Sequence, residues 1–96
     1  MSRRPIFKFR LFVAAGTFNS MQAMANLNAL CEAHLAGRHE IEIVDVFRDP
    51  QRALKEGIRL TPTLIQLAPA PMRRIVGTLS QTQHVLDTLG LDAGAA

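Results

Sequence analysis

The stretch GIRLTPTLIQL, residues 57–67, decides the fold because it places a proline directly before an apolar run of strand type. On its amino-terminal side, Asp49–Pro50 supplies a helix cap and a first-turn proline, and Gly57 ends a helix of about two turns. On its carboxyl side, TLIQL is followed by the proline-punctuated APAPM and then by RRIVG, residues 73–77. This spacing predicts a strand and an antiparallel hairpin partner.

The residues before this stretch predict a strand, a helix and a second strand. IFKFRLFVA, residues 6–14, alternates and then becomes continuously apolar, and GTFNS, residues 16–20, offers Asn19 or Ser20 as a helix cap. Apolar residues recur at helical spacing until Leu35, and Gly37 stands where the helix ends. EIEIVDVF, residues 40–47, is then expected to form the second strand.

The residues after the hairpin predict one more helix. Ser80 and Gln83 form a capping-box pattern ahead of an apolar stripe, and Gly90 follows that stripe. The tail, residues 91–96, is expected to fray. The order is therefore βαβαββα, an α/β fold of thioredoxin-like type with a single mixed sheet and flanking helices, and residues 1–96 are expected to form one domain.

Composition and charge exclude several classes of function. The 11 Lys and Arg residues outnumber the 8 Asp and Glu residues only slightly, and they are dispersed, so no nucleic-acid partner is expected. No apolar run is long enough to span a bilayer, and Lys8 and Arg10 interrupt the only signal-like segment. We therefore expect a cytoplasmic protein without a membrane partner.

The residues point away from catalysis. Thioredoxin-like enzymes carry a CxxC pair in the loop after the first strand, whereas this loop reads AAGTFNS. The single cysteine, Cys31, lies on the apolar stripe of the long helix, which favours a buried hydrophobe over a reactive thiol. The three histidines lack metal-ligand spacing, and neither a metal nor any other cofactor is expected.

Three segments in the same order resemble the KaiB circadian-clock proteins. They are LFVAAGTFNSMQAMANLNALCE (11–32), IEIVDVFRDPQRALKEGIRLTPTLIQLAP (41–69) and PMRRIVGTLSQTQHVL (71–86), and the similarity runs from about residue 7 to residue 91. The resemblance implies a non-enzymatic protein that binds a KaiC-type ATPase, with a KaiA-like or histidine-kinase protein as a further partner. It also implies a metamorphic chain that exchanges between a tetramer-forming fold and the thioredoxin-like fold, which requires two packings of similar free energy.

The resemblance and the local pattern select two groups of candidate residues. Glu40, Glu42, Arg73 and Arg74 are candidates for partner binding, with Glu42 standing where the family commonly has lysine. Thr61, Pro62, Gly77, Thr88 and Gly90 are candidates for the structural switch. Thr61–Pro62 occupies the place where thioredoxin-like domains hold a cis-proline, and Thr88 and Gly90 replace a typical Gly and Asp.

Three hypotheses follow. The first is a KaiB-like regulatory binding module that acts in circadian timing or stress adaptation, with homo-oligomer formation as a further expectation. The second is a monothiol oxidoreductase, which requires an accessible Cys31 thiol with a lowered pKa. The third is a small sensory domain like the KaiB-like input domain of some histidine kinases.

Overall fold

The order of helices and strands confirms the βαβαββα prediction. In a computed structural model that describes residues 5–91, the elements are β1 (Phe7–Val13), α1 (Phe18–His34), β2 (His39–Asp45), α2 (Pro50–Lys55), β3 (Thr63–Ala68), β4 (Arg73–Val76) and α3 (Thr82–Thr88). Of the tail predicted to fray, only Leu91 lies within the described range.

The four strands form one mixed sheet in the order β2-β1-β3-β4. β1 pairs in parallel with β2, from Phe7 opposite His39 to Val13 opposite Asp45. β3 runs antiparallel to β1, and β4 antiparallel to β3. Consequently β1, β2 and β4 finish at the same end of the sheet where β3 begins, and we call this the Pro62 end.

The two faces of the sheet carry different amounts of apolar packing. On one face, side chains of β1, β3 and β4 pack with α1 and α3 in the larger core, which contains Phe7, Phe9, Leu11, Val13, Ala23, Leu27, Leu30, Cys31, Leu35, Leu64, Ile75, Leu79, Val85, Leu86 and Leu89. The other face packs a smaller cluster of Phe12, Val44, Ala53 and Ile65 beneath α2. Because α2 has only six residues, it covers only part of its face.

Several element ends differ from the prediction, three of them at a predicted cap or at the end of β2. β2 ends at Asp45 rather than at residue 47, because the Asp45 carboxylate accepts a hydrogen bond from the Phe47 amide and turns the chain. α1 begins earlier than predicted, at Phe18. α3 begins at Thr82, and neither Ser80 nor Gln83 caps it.

Candidate functional site

The Pro62 end is where a thioredoxin-like enzyme would hold its cysteines, and in this chain Gly16 and Thr17 precede α1 instead. Thr61–Pro62 is a cis peptide bond directly before β3. Two hydrogen bonds hold this segment, one from the Gly77 amide to the Pro62 carbonyl at 2.9 Å and one from the Thr63 hydroxyl to the Leu60 carbonyl at 2.6 Å. The candidate switch residues Thr61, Pro62 and Gly77 therefore lie together.

The loop before α1 is fixed by side-chain hydrogen bonds other than the predicted helix cap. Ser20 is buried, and its hydroxyl accepts a hydrogen bond from the Ala14 amide at 3.0 Å. The predicted capping role of Asn19 or Ser20 is therefore wrong, since Thr17 holds the N-cap position without a side-chain cap bond. Asp45 accepts bonds from the Ala15 and Phe47 amides at 3.4 and 3.0 Å, which ties this loop to the end of β2.

Cys31 lies far from the Pro62 end, within α1. It is 0% exposed and belongs to the larger core cluster. Burial, with a smaller contribution from the nearby Glu32 carboxylate, raises the pKa of the Cys31 thiol to about 11. The thiol is thus both inaccessible and protonated at neutral pH, the reverse of what nucleophilic chemistry requires.

Five charged side chains form a layer on the α2 face of the sheet. Arg10 of β1 donates to the Glu42 carboxylate at 2.7 Å and to the Glu56 carboxylate at 3.0 Å, and Arg52 of α2 donates to the second Glu42 oxygen at 2.9 Å. Arg74 donates to the backbone carbonyls of Glu56 and Gly57. We call Arg10, Glu42, Arg52, Glu56 and Arg74 the charged layer.

Glu42 is the centre of the charged layer. Hydrogen bonds from Arg52 and then Arg10 lower the pKa of the Glu42 carboxyl to about 2. Because the Glu42 side chain is 45% exposed, solvent screens these attractions, and the layer contributes little to stability. Glu40 is exposed on the same strand, opposite Lys8 in the β1–β2 register.

The structure separates the adjacent arginines Arg73 and Arg74, since neighbouring residues of a strand point to opposite faces. Arg74 belongs to the charged layer, whereas the Arg73 guanidinium donates to the Thr88 carbonyl at 2.7 Å, at the end of α3. Gly90 follows with a φ of +76°, and a Cβ there would lie 2.7 Å from Arg73 Nη1. Arg73, Thr88 and Gly90 therefore form one contact, which we call the α3 clamp.

Sequence reasoning selected Glu42 and Arg74 but missed Arg10, Arg52 and Glu56. The four-residue spacing of Arg52 and Glu56 can be read from the sequence. Arg10 and Glu42, in contrast, become neighbours only through the parallel β1–β2 register. Within residues 5–91, no group of three His, Cys, Asp or Glu side chains is placed to hold a metal ion. No helix of that range has the length and apolar character needed to cross a membrane.

A comparison with protein families identifies the chain. The model of the KaiB domain matches residues 10–91. The chain belongs to the KaiB family. This confirms the resemblance read from the three segments, and the match includes both the charged layer and the α3 clamp.

Relatives and solved structures agree with this assignment. The circadian clock protein KaiB3 of Synechocystis sp. is 45% identical over 83 residues, which is 86% of this chain and 79% of that protein. The circadian clock oscillator protein KaiB of Parasynechococcus marenigrum is 40% identical over 92 residues, 96% of this chain and 86% of that protein.

Solved structures confirm the thioredoxin-like fold. Chloroplastic thioredoxin z has a TM-score of 0.75 at 21% identity, covering 95% of this chain and 82% of its own. The N-terminal domain of SasA from Synechococcus elongatus has a TM-score of 0.71 at 17% identity, covering 100% of this chain and 94% of its own. At these low sequence identities, the two similarities establish the fold alone.

Proposed function

We propose that this KaiB-family protein is a non-enzymatic regulator that binds a KaiC-type ATPase, in circadian timing or in related stress signalling. The observation that carries the proposal is the family match over residues 10–91, joined to relatives that are named as circadian clock proteins. The Pro62 end supports a binding role, because the residues before α1 include no cysteine.

The docking surface of this proposal is the α2 face of the sheet, from its β2 edge to its β4 edge. Glu40 and Glu42 are exposed on β2, which is an edge strand of the sheet, and Arg74 projects from β4 on the same face. Ionic groups at an interface chiefly govern partner selection and association rate. Arg73 acts indirectly in this proposal, since its guanidinium holds the end of α3.

The fold exchange known from the family is proposed for this chain as well. Exchange requires that the contacts specific to one packing break together. In the thioredoxin-like state these are the Gly77–Pro62 bond beside Thr61 and the α3 clamp formed with Thr88 and Gly90. Homo-oligomerisation, a KaiA-like or histidine-kinase partner and a cytoplasmic location belong to the same proposal.

The monothiol alternative lacks support from the structure. It requires an accessible Cys31 with a lowered pKa, whereas Cys31 is buried and its pKa is raised to about 11. A thioredoxin-like fold alone does not imply thiol chemistry.

The test is size-exclusion chromatography of the protein with a KaiC-type ATPase from the same organism, with ATP and sampled over many hours. We expect a complex that accumulates slowly, because rearrangement before docking limits association. Glu42→Gln, which removes the centre of the charged layer, is expected to change the amount of complex. Glu32→Gln removes an exposed carboxylate from α1 on the opposite face and serves as the matched control. Absence of any complex with the unaltered protein would contradict the proposal.

A further inference from the structure

We propose that Arg10 is a positioning residue, whose guanidinium fixes the short helix α2 on the sheet and thereby sets the shape of the docking surface. The docking part of this proposal rests on the proposed function above, whereas the effect of Arg10 on α2 does not. Arg10 is not among the residues that the sequence selected for partner binding, and the structure places it between β2 and α2.

α2 has few contacts of its own that would hold it in place. Of its six residues, all of them described, Ala53 alone is buried, and the large apolar side chain of Leu54 is 77% exposed. Within the described residues, Asp49 makes no side-chain cap bond, and the hydrogen bond from the Ala53 amide to the Asp49 carbonyl is 3.4 Å long. Because a helix of this length is not stable by itself in water, its position depends on contacts with the sheet.

Arg10 closes a ring of ion pairs between α2 and the sheet. Its Nη1 donates to the carboxylate of Glu56, at the end of α2, at 3.0 Å, and its Nε donates to Glu42 of β2 at 2.7 Å. The second Glu42 oxygen accepts from Arg52, one turn before Glu56, at 2.9 Å. Loss of the Arg10 guanidinium would therefore break the ion pair that joins α2 directly to β1 and one of the two that hold Glu42.

The Arg10–Glu56 pair is the least exposed ion pair of the described residues. Its side chains are 22% and 28% exposed, whereas those of Arg52 and Glu42 are 39% and 45% exposed. Since water screens a partly buried pair less, Arg10 is expected to hold α2 more firmly than Arg52 does. The guanidinium reaches two carboxylates because its nitrogens point in fixed, different directions, which the point charge of a lysine ammonium does not reproduce.

The ring is expected to act on the position of α2 and not on the stability of the whole fold. Global unfolding requires the larger core to open, and that core contains no buried residue of α2. Local opening of a short helix with little buried surface requires much less free energy. Ion pairs that are too weak to change global stability can therefore still decide how often α2 leaves the sheet.

The position of α2 matters for docking because α2 is part of the proposed docking surface. A partner meets the complete surface only in molecules whose α2 is in place, and its apparent affinity falls in proportion to that fraction. Loss of Arg10 is therefore expected to weaken the complex without changing any side chain that α2 presents.

The experiment is hydrogen exchange followed by NMR on the free protein and on three variants. Arg10→Met removes the charge and keeps the apolar stem, and Arg10→Lys keeps the charge without the fork of donors. Arg38→Met is the matched control. Arg38 is half-buried like Arg10 and loses the same charge, but it lies just before β2, at the end of the sheet away from Pro62.

The amides of Glu56 and Ile58, which bond to carbonyls of α2, report on that helix, and the Leu35 amide reports on the larger core. In Arg10→Met we expect the two α2 reporters to exchange about fivefold to tenfold faster and Leu35 to change by less than about twofold. Arg10→Lys should restore part of the protection, and Arg38→Met should leave the α2 reporters within about twofold of the unaltered protein.

The proposal is overturned if the α2 reporters exchange no faster in Arg10→Met, or if Arg38→Met accelerates them as much. It is also overturned if the Leu35 amide accelerates equally in Arg10→Met, because unfolding of the whole protein would then be the cause.

A titration with the KaiC-type ATPase tests the docking part. Arg10→Met is expected to bind about twofold or more weaker, and Arg38→Met as tightly as the unaltered protein. Equal affinity of Arg10→Met and the unaltered protein would overturn the positioning role in docking. If the unaltered protein forms no complex, the proposed function fails, while the exchange measurement still decides whether Arg10 fixes α2.

Discussion

Cys31 shows how burial decides the chemistry of a single side chain. Its sulfur lies in the larger core, with 0% of the residue exposed, and the pKa of the thiol rises to about 11. Helical spacing was sufficient to predict this burial, because Cys31 continues the stripe that includes Leu27 and Leu30.

The raised pKa predicts a dependence of stability on alkaline pH. Between pH 9 and 11 the thiol loses its proton in the unfolded chain but retains it in the folded one, so the free energy of unfolding falls as pH rises through that window. The full loss from this group is about 2 to 3 kcal/mol. Urea unfolding at several alkaline pH values measures the effect. The control is Cys31→Ala, whose unfolding free energy should decline less over the same window, and an identical decline would contradict the argument.

Two serines test whether a tertiary hydrogen bond or a local capping pattern contributes to the free energy of unfolding. Ser20→Ala removes the buried acceptor of the Ala14 amide and is expected to lower the free energy of unfolding by about 1 to 3 kcal/mol. Ser80→Ala, at the residue that the capping-box pattern selects, is expected to change it by less than about 0.5 kcal/mol, because the exposed Ser80 hydroxyl bonds only the Thr78 hydroxyl. Urea unfolding of both variants checks this, and a larger loss for Ser80→Ala would show that the capping box forms in solution.

At the scale of elements, sequence predicted which segments become strands and helices better than it predicted where they begin. Periodicity reports the buried face of an element, and Gly37, Gly57 and Gly90 marked helix ends correctly, each with positive φ. The start of α1 and the end of β2 depend on side-chain hydrogen bonds that periodicity does not report. The Ser20 hydroxyl accepts from the Ala14 amide instead of capping α1, and β2 ends early because the Asp45 carboxylate accepts from the Phe47 amide.

The α3 clamp predicts different costs for alanine at two glycines. Gly37 and Gly90 have similar φ values of +73° and +76°, but a Cβ at Gly37 meets nothing within 4 Å, whereas one at Gly90 lies 2.7 Å from Arg73 Nη1. Gly37→Ala is expected to cost about 1 to 2 kcal/mol for the left-handed backbone alone. Gly90→Ala should cost about 1 kcal/mol more, since displacing Arg73 breaks its bond to the Thr88 carbonyl.

A double-mutant cycle checks the origin of that difference. In an Arg73→Ala background, Gly90→Ala should cost about as much as Gly37→Ala, because no guanidinium remains to be displaced. Thermal and urea unfolding of the four proteins supply the free energies. If the excess cost of Gly90→Ala persists without Arg73, the clamp is not its cause.

At the scale of the whole molecule, the two sheet faces have different roles. α1 and α3 cover one face with the larger core, and α2 covers the other only in part, which leaves the charged layer at the surface. The Pro62 end of the sheet carries exposed apolar residues, among them Phe18, Leu60 and Val76. The stability of the fold therefore depends chiefly on the larger core, and the proposed docking surface on the charged layer.

The candidate site was less predictable than the fold, because its charged residues become neighbours only when the strands pair and α2 packs on the sheet. Glu42 and Arg74 are 32 positions apart in the chain and meet only through α2 and β1, so no local spacing identifies their layer. Arg73 and Arg74 look equivalent in sequence but bond to opposite faces of the sheet. Only the register of the strands shows which charged residues are neighbours.

We propose that this KaiB-family protein acts by binding and not by thiol chemistry. Time-resolved native mass spectrometry of the protein and its Cys31→Ala variant, each mixed with a KaiC-type ATPase and ATP, tests it most directly. We expect slow formation of the same complex, at the same rate, by both proteins. Absence of a complex would contradict the binding role, and a complex that the unaltered protein forms but Cys31→Ala does not would show that the thiol takes part.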